Sequence, residues 1–176
     1  LSTRSGAGPS DAALVVAARA GEDWAIEALF RRHAARVNAL ALRLIGRDAD
    51  VDDLAQDSFR EALESLGRLR EPEAFAAWLR AIVVNRAGKL LRQRRLLARI
   101  GLGRGNLAID LDSLVSKSAP PDVAADLARI YAAVERLPAA LRVPLVLRRV
   151  EGLPLAEVAE LTGVSLATVK RRIAED

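Results

Sequence analysis

The sequence predicts an all-α protein made of two small helical domains joined by a flexible linker. Ala, Leu and Val supply most of an apolar share of 51%, and aromatics are only 3%. Ala and Leu lose little side-chain freedom in a helix, so this composition favours helices over strands. Apolar residues recur at spacings of three and four through the first hundred positions, and no alternating strand pattern or internal repeat stands out. That order breaks at 99–121, where Gly101, Gly103, Gly105, Ser113, Ser116, Ser118, Pro120 and Pro121 mark a linker. A length of 176 residues suits one compact domain or two small ones.

The elements follow in order. Residues 1–10 are small and polar, lack the apolar core of a signal peptide, and read as a flexible leader. A chain opening on Leu rather than Met reads as a trimmed one. Asp11 is the expected N-cap of a helix over 12–20, which Gly21 ends. Asp23 precedes a long stripe of Trp24, Ile26, Leu29, Phe30, Val37, Leu40, Leu44 and Ile45, stopped by Gly46. Asp50 or Asp52 caps a third helix with apolar Leu54, Ala55, Phe59 and Leu63, and 67–72 is a charged loop. A fourth helix starts near Glu73 and carries Phe75, Trp78, Leu79, Ile82 and Val83. After the linker, Asp122 caps one helix. Pro138 starts another towards Val150, in which Pro144 kinks the axis or marks a late start. Pro154 opens a short helix to Leu161, and Ser165 caps the last one.

Composition excludes several classes of function. With no Cys there is no disulfide or thiolate metal site, and a reducing cytoplasm fits. One His, His33, builds no His-based metal site and reads as a surface or boundary residue. Neither a metal nor a cofactor is expected. No apolar run approaches the 18 residues of a membrane span. A net charge of +4 says little by itself, but its distribution is informative. Residues 48–64 hold seven acids and one base, Arg60, whereas 74–109 hold no acid and eight bases. Adjacent segments of opposite sign point to two partners, or to one partner with a contrasting surface.

The segment LPLAEVAELTGVSLATVKRRIAED, Leu153–Asp176, fits a helix-turn-helix. Leu155, Val158, Ala159 and Leu161 form the inner face of its first helix, and Gly163 permits the turn. Ser165 fixes the start of the second helix, which Val169 and Ile173 anchor from beneath. Ser165, Ala167, Thr168, Lys170, Arg171 and Arg172 are left outward. Short side chains at the helix N-terminus let backbone approach a major groove, and Lys170 and Arg171 reach phosphates or guanine edges. The bland alternative is an ordinary helical hairpin with a solvated basic face.

On the third helix Asp53, Gln56, Asp57, Arg60, Glu61 and Glu64 share the face away from the apolar stripe. By itself that is an ordinary solvated face. As a binding face it suits a basic protein, because acids repel phosphates. On the fourth helix Arg80, Asn85, Arg86 and Lys89 point outward, followed by Arg92, Arg94 and Arg95, a set able to neutralise phosphates. Phe75 and Trp78 lie on or near the core stripe. An exposed edge of either could stack on an unpaired base, and the 67–72 loop could form a pocket for one.

These pieces resemble the extracytoplasmic-function (ECF) RNA polymerase sigma factors of the sigma-70 family. ALFRRHAARVNALALRL at 28–44 is similar to the opening of the family's region 2, and DVDDLAQDSFREA at 50–62 to its polymerase-binding motif. AFAAWLRAIVVNR at 74–86 with the Arg cluster resembles the −10 segment, and 152–173 resembles the region 4 helix-turn-helix. The resemblance implies a region 2-like bundle over 11–98, a linker over 99–121 and a region 4-like domain over 122–176. It implies partners in core RNA polymerase (the clamp helices of the largest subunit, and the flap), promoter DNA and an anti-sigma factor. It places Asp53, Gln56, Asp57, Phe59 and Glu61 at the polymerase. Phe75, Trp78, Arg80, Asn85, Arg86, Lys89 and Arg92 fall at the −10 strand, with a flipped base captured by the 67–75 loop. Ser165, Ala167, Thr168, Lys170 and Arg171 fall at the −35 element. Ala77, Ala81 and Val84 make the −10 helix leaner than is usual in the family, and the acidic end Glu175–Asp176 departs from its basic pattern.

The implied function is promoter-specific initiation without catalysis. The rivals are a stand-alone helix-turn-helix regulator, a nucleic-acid enzyme and a polymerase-binding adaptor that opens no promoter. An enzyme would need carboxylates converging on a metal or a phosphate-binding loop, and neither is visible.

Overall fold

Ser10, not Asp11, opens the first helix: its Oγ accepts from the Ala13 N–H at 3.2 Å. Asp11 is instead the first helical residue, and its carboxylate holds Arg32 at 2.6 Å and His33 at 2.9 Å. The computed structural model describes residues 8–46, 50–100, 129–130, 132–134 and 136–174. Among these there is no strand. The expected leader, almost all of the expected linker, the Asp122 cap and Glu175–Asp176 lie outside or largely outside the described residues.

The helices are α1 (Asp11–Arg19), α2 (Asp23–Ile45), α3 (Asp50–Glu64) and α4 (Phe75–Arg99), then α5 (Ala139–Leu145), α6 (Leu155–Thr162) and α7 (Leu166–Ala174). Residues 129–130, 132–134 and 136 are helical as well. Helices α1 to α4 pack as a bundle around Leu14, Leu29, Leu44, Phe59, Phe75 and Val83, all nearly or fully buried. Between α3 and α4 the chain is not an open loop. It makes two short 3₁₀ turns, 66–68 and 72–74, with Leu66 and Leu69 plugged into the core.

The apolar stripe of α2 differs from the sequence reading at two kinds of position. Trp24 and Phe30 are exposed, Phe30 lying against Phe59 with ring centroids 4.8 Å apart. His33, expected near the surface, is 8% exposed. It sits four residues after Leu29 and four before Val37, on the inner face of the helix, with its ring edge-on to Phe75 at 5.3 Å. Asp11 satisfies its polar edge, which makes the burial tolerable. Phe75→Ala would remove the ring that joins α2 and α4, at an expected cost of about 3–5 kcal/mol. Urea titration checks this, and a loss under about 1 kcal/mol would deny Phe75 its central place.

Pro144 lies inside α5 and so does not mark a late helix start. It lacks the N–H for a regular bond, and the following turn widens over Val146–Val150, closing with Glu151 N–H on the Val146 carbonyl at 3.0 Å. The α5–α7 unit is centred on Leu147, Val158 and Val169, all 0% exposed, and rests against α4 through α6.

Candidate functional site

The outward face of α3 follows from its stripe. Leu54, Ala55, Phe59 and Ala62 are buried, so Asp53, Gln56, Arg60, Glu61 and Glu64 are left exposed. Phe59 is therefore a core residue that supports this face from behind and does not lie on it. Asp57 is half-buried and shared: Arg60 donates to its Oδ1 at 2.7 Å, and Arg86 of α4 to its Oδ2. Arg86 also donates to Glu61 Oε2 at 2.7 Å. Burial lowers the Arg86 pKa, but the Glu61 hydrogen bond and the Asp57 charge raise it more, so it lies above the ordinary guanidinium value. Asp53 makes no ion pair among the described residues. A groove of about 420 Å³ runs between α3 and α4, with Asp50, Asp53 and Asp57 on one wall and Arg86, Lys89 and Gln93 on the other.

The basic face of α4 is correspondingly divided. Asn85, Lys89 and Arg92 are exposed. Arg80 and Arg86, expected to point to solvent, do not: Arg86 is held by the α3 acids, and Arg80 donates to Glu157 Oε1 of α6 at 2.7 Å. Phe75 is fully buried, so its ring is not on the surface; Trp78, half-buried and 6.2 Å from it, is the aromatic that reaches outward.

A second bridge joins the two units: Arg43 of α2 donates to Glu151 Oε1 at 2.9 Å. Beside the contact lies a cavity of about 450 Å³, with Asn85 and Arg92 on the α4 side and Pro144, Glu160, Leu161 and Arg172 opposite. The junction is imperfectly satisfied, because the Nε groups of Arg43 and Arg80 are buried without an acceptor among the described residues. An unmet buried donor costs about 1–3 kcal/mol, so these bridges hold the units together weakly.

The helix-turn-helix is built as its residues dictate. Gly163 adopts φ +66°, a left-handed turn that L side chains resist, and ends α6. Ser165 Oγ accepts from the Thr168 N–H at 3.2 Å and caps α7. Val169 is fully buried beneath the helix, leaving Ser165, Ala167, Lys170 and Arg171 exposed and Thr168 half-buried. Arg172 is turned inward to line the cavity.

Sequence reasoning missed Arg19, Arg43, Glu151 and Glu157. Arg43 and Glu151 are 108 residues apart, and no local pattern marks such a pair. His33 did carry a signal, its place in the Leu29–Val37 register. Among the described residues no group of three His, Cys, Asp or Glu could hold a metal ion, and no helix is long and apolar enough to cross a membrane.

One chain thus carries two helical units, one with an exposed helix-turn-helix and the other with adjacent acidic and basic faces. The family description Sigma-70 region 2 matches residues 29–96, and Sigma-70, region 4 matches 127–175. The chain is 34% identical over 166 residues to the ECF RNA polymerase sigma factor SigM of Mycobacterium tuberculosis, covering 94% of this chain and 80% of that one. It is 30% identical over 170 residues to the ECF RNA polymerase sigma-E factor of Haemophilus influenzae, covering 93% and 89%. The solved structure of CnrH in complex with the cytosolic domain of CnrY is similar at a TM-score of 0.60 and 26% identity, over 95% of this chain and 92% of that one. The chain belongs to the ECF RNA polymerase sigma factor family. Members of this family direct RNA polymerase in transcription initiation and bind both the polymerase and promoter DNA.

Proposed function

We propose that this chain is a non-catalytic specificity subunit that brings core RNA polymerase to promoters carrying defined −10 and −35 elements. The exposed α3 face, led by Asp53 and Gln56, docks on the basic clamp helices of the largest subunit, and the second unit meets the flap. Asn85, Lys89, Arg92 and Trp78, with the 66–71 segment, hold the opened −10 strand. Ser165, Ala167, Thr168, Lys170 and Arg171 read the −35 duplex. The functional division is 11–98 and 122–176, with 99–121 as the tether, and the protein acts in the cytoplasm. Tethering multiplies two weak DNA contacts into one firm one. The solved neighbour is a complex with a cytosolic protein domain, and a protein inhibitor of that kind is the proposed regulator here.

The observation that carries this reading is the separation of charge between solvent-facing surfaces: Asp53 and Glu61 exposed on α3, Lys170 and Arg171 exposed on α7. Reconstituted transcription with core polymerase tests it. Promoter-specific transcripts are expected only when the chain is added. A stand-alone regulator would instead bind duplex tightly without polymerase, and failure to bind core would remove the proposal.

A further inference from the structure

The last residue of α1, Arg19, reaches across the bundle to the turn that precedes α4. Its Nε and Nη2 donate to the Leu66 carbonyl at 3.2 and 3.0 Å, and Nη2 also donates to the Leu69 carbonyl. A single guanidinium thus pins both ends of a four-residue turn from 47 and 50 residues away. The side chains of Leu66 and Leu69 are buried below it, so the turn is anchored from two directions. Between and after the anchors, Gly67, Arg68, Arg70 and Glu71 face solvent, and a Cβ built at Gly67 would meet nothing within 4 Å. The segment therefore presents an open, partly cationic rim on a fixed backbone.

We infer that Arg19 is a positioning residue for base selection: it sets the 66–71 backbone and thereby the fit of the unpaired −10 base held there. This rests on the proposed function, in which that segment grips the opened strand. Arg19 itself touches no DNA. Its planar fork serves two carbonyls at once, and the point charge of Lys cannot satisfy both with that geometry. Without the fork the two carbonyls turn to water, and the turn must be ordered each time a base enters, which weakens discrimination more than general phosphate attraction.

The test is sequence selection by the polymerase complex. Core polymerase carrying the full chain is offered premelted promoters with a randomised single-stranded −10 segment, and the bound pool is sequenced. Wild type is expected to show a strong base preference at one or more positions. Arg19→Gln should flatten the preference at one of them roughly tenfold, a loss on the order of 1.4 kcal/mol, with core affinity and the other positions unchanged. Arg19→Lys should restore it only in part. An unaltered profile in Arg19→Gln overturns the inference, as does an even loss at every position accompanied by weaker core binding, which marks a purely structural role. If Arg19→Gln does not fold, a full wild-type profile in folded Arg19→Lys overturns it as well. A wild-type pool with no preference anywhere defeats the underlying −10 reading, a distinct result.

Discussion

Charge reversal at Asp53 and Asp57 is expected to abolish binding to core RNA polymerase while leaving the helices folded. Asp53 is exposed and makes no ion pair among the described residues, so Asp53→Lys removes no internal contact. Asp57 is only partly free, with 36% of its side chain exposed and Arg60 and Arg86 bound to it. Reversing Asp57 places a third cation beside Arg60 and Arg86 and leaves Glu61 as the acid that still holds Arg86. Truncating one member of a desolvated interfacial charge pair costs about 2–5 kcal/mol. Two reversals against a basic surface then correspond to a loss on the order of a thousandfold or more, at 1.4 kcal/mol per tenfold. A fluorescence titration with core polymerase measures the loss, and far-ultraviolet circular dichroism reports the fold. Binding within threefold of wild type would show that α3 is not the docking face. Asp53→Lys alone guards against a folding artefact, and should weaken binding at least tenfold.

Joining the two units covalently is expected to eliminate promoter-specific transcription. In the proposed function one unit reads −35 and the other −10, about 25 base pairs apart. At 3.4 Å per step that is about 85 Å of B-form DNA. Units in which Arg80 touches Glu157 and Arg43 touches Glu151 cannot reach both elements at once. They must part, and the buried Nε groups left unsatisfied at this junction keep the cost of parting low. The proposed tether, 99–121, gives a fully extended reach of about 75–85 Å, of the order of the span. Because the chain has no Cys, Arg43→Cys and Glu151→Cys can be bridged by a short reducible cross-linker without side reactions. Neither position belongs to a proposed binding set. The bridged protein should yield few or no transcripts and recover when the linker is reduced, while the unbridged double variant stays active. Full activity of the bridged form would mean that the contact between the units persists during initiation.

Most of the helical framework was legible from the chain itself. Period 3.6 patterning placed α1 to α4, Gly163 and Ser165 marked the helix-turn-helix, and the stripe on α3 implied which acids face out. These are local properties, set within one or two turns of helix. Legibility stopped at side chains whose partners lie far along the chain. Arg80 and Arg86 read as outward cations because a helix pattern specifies direction and not what stands opposite. Phe59 and Phe75 are part of the apolar stripe, and the family resemblance set them among binding residues although packing encloses both rings. The 67–72 segment read as a loop because the anchoring of Leu66 and Leu69 is supplied by α1, nearly fifty residues earlier.

From the order of its residues alone came the helices, their inner and outer faces, the segregation of acid from base, and the family that this arrangement defines. Only packing decided which of those charges remain available: Arg86 is neutralised by Asp57 and Glu61, Arg80 by Glu157, and Asp53 and Lys170 are left to solvent. The reason is one of range. Helix formation and amphipathicity follow from neighbours three and four residues away, whereas an ion pair depends on distance in space, which exists only once distant segments have been brought together.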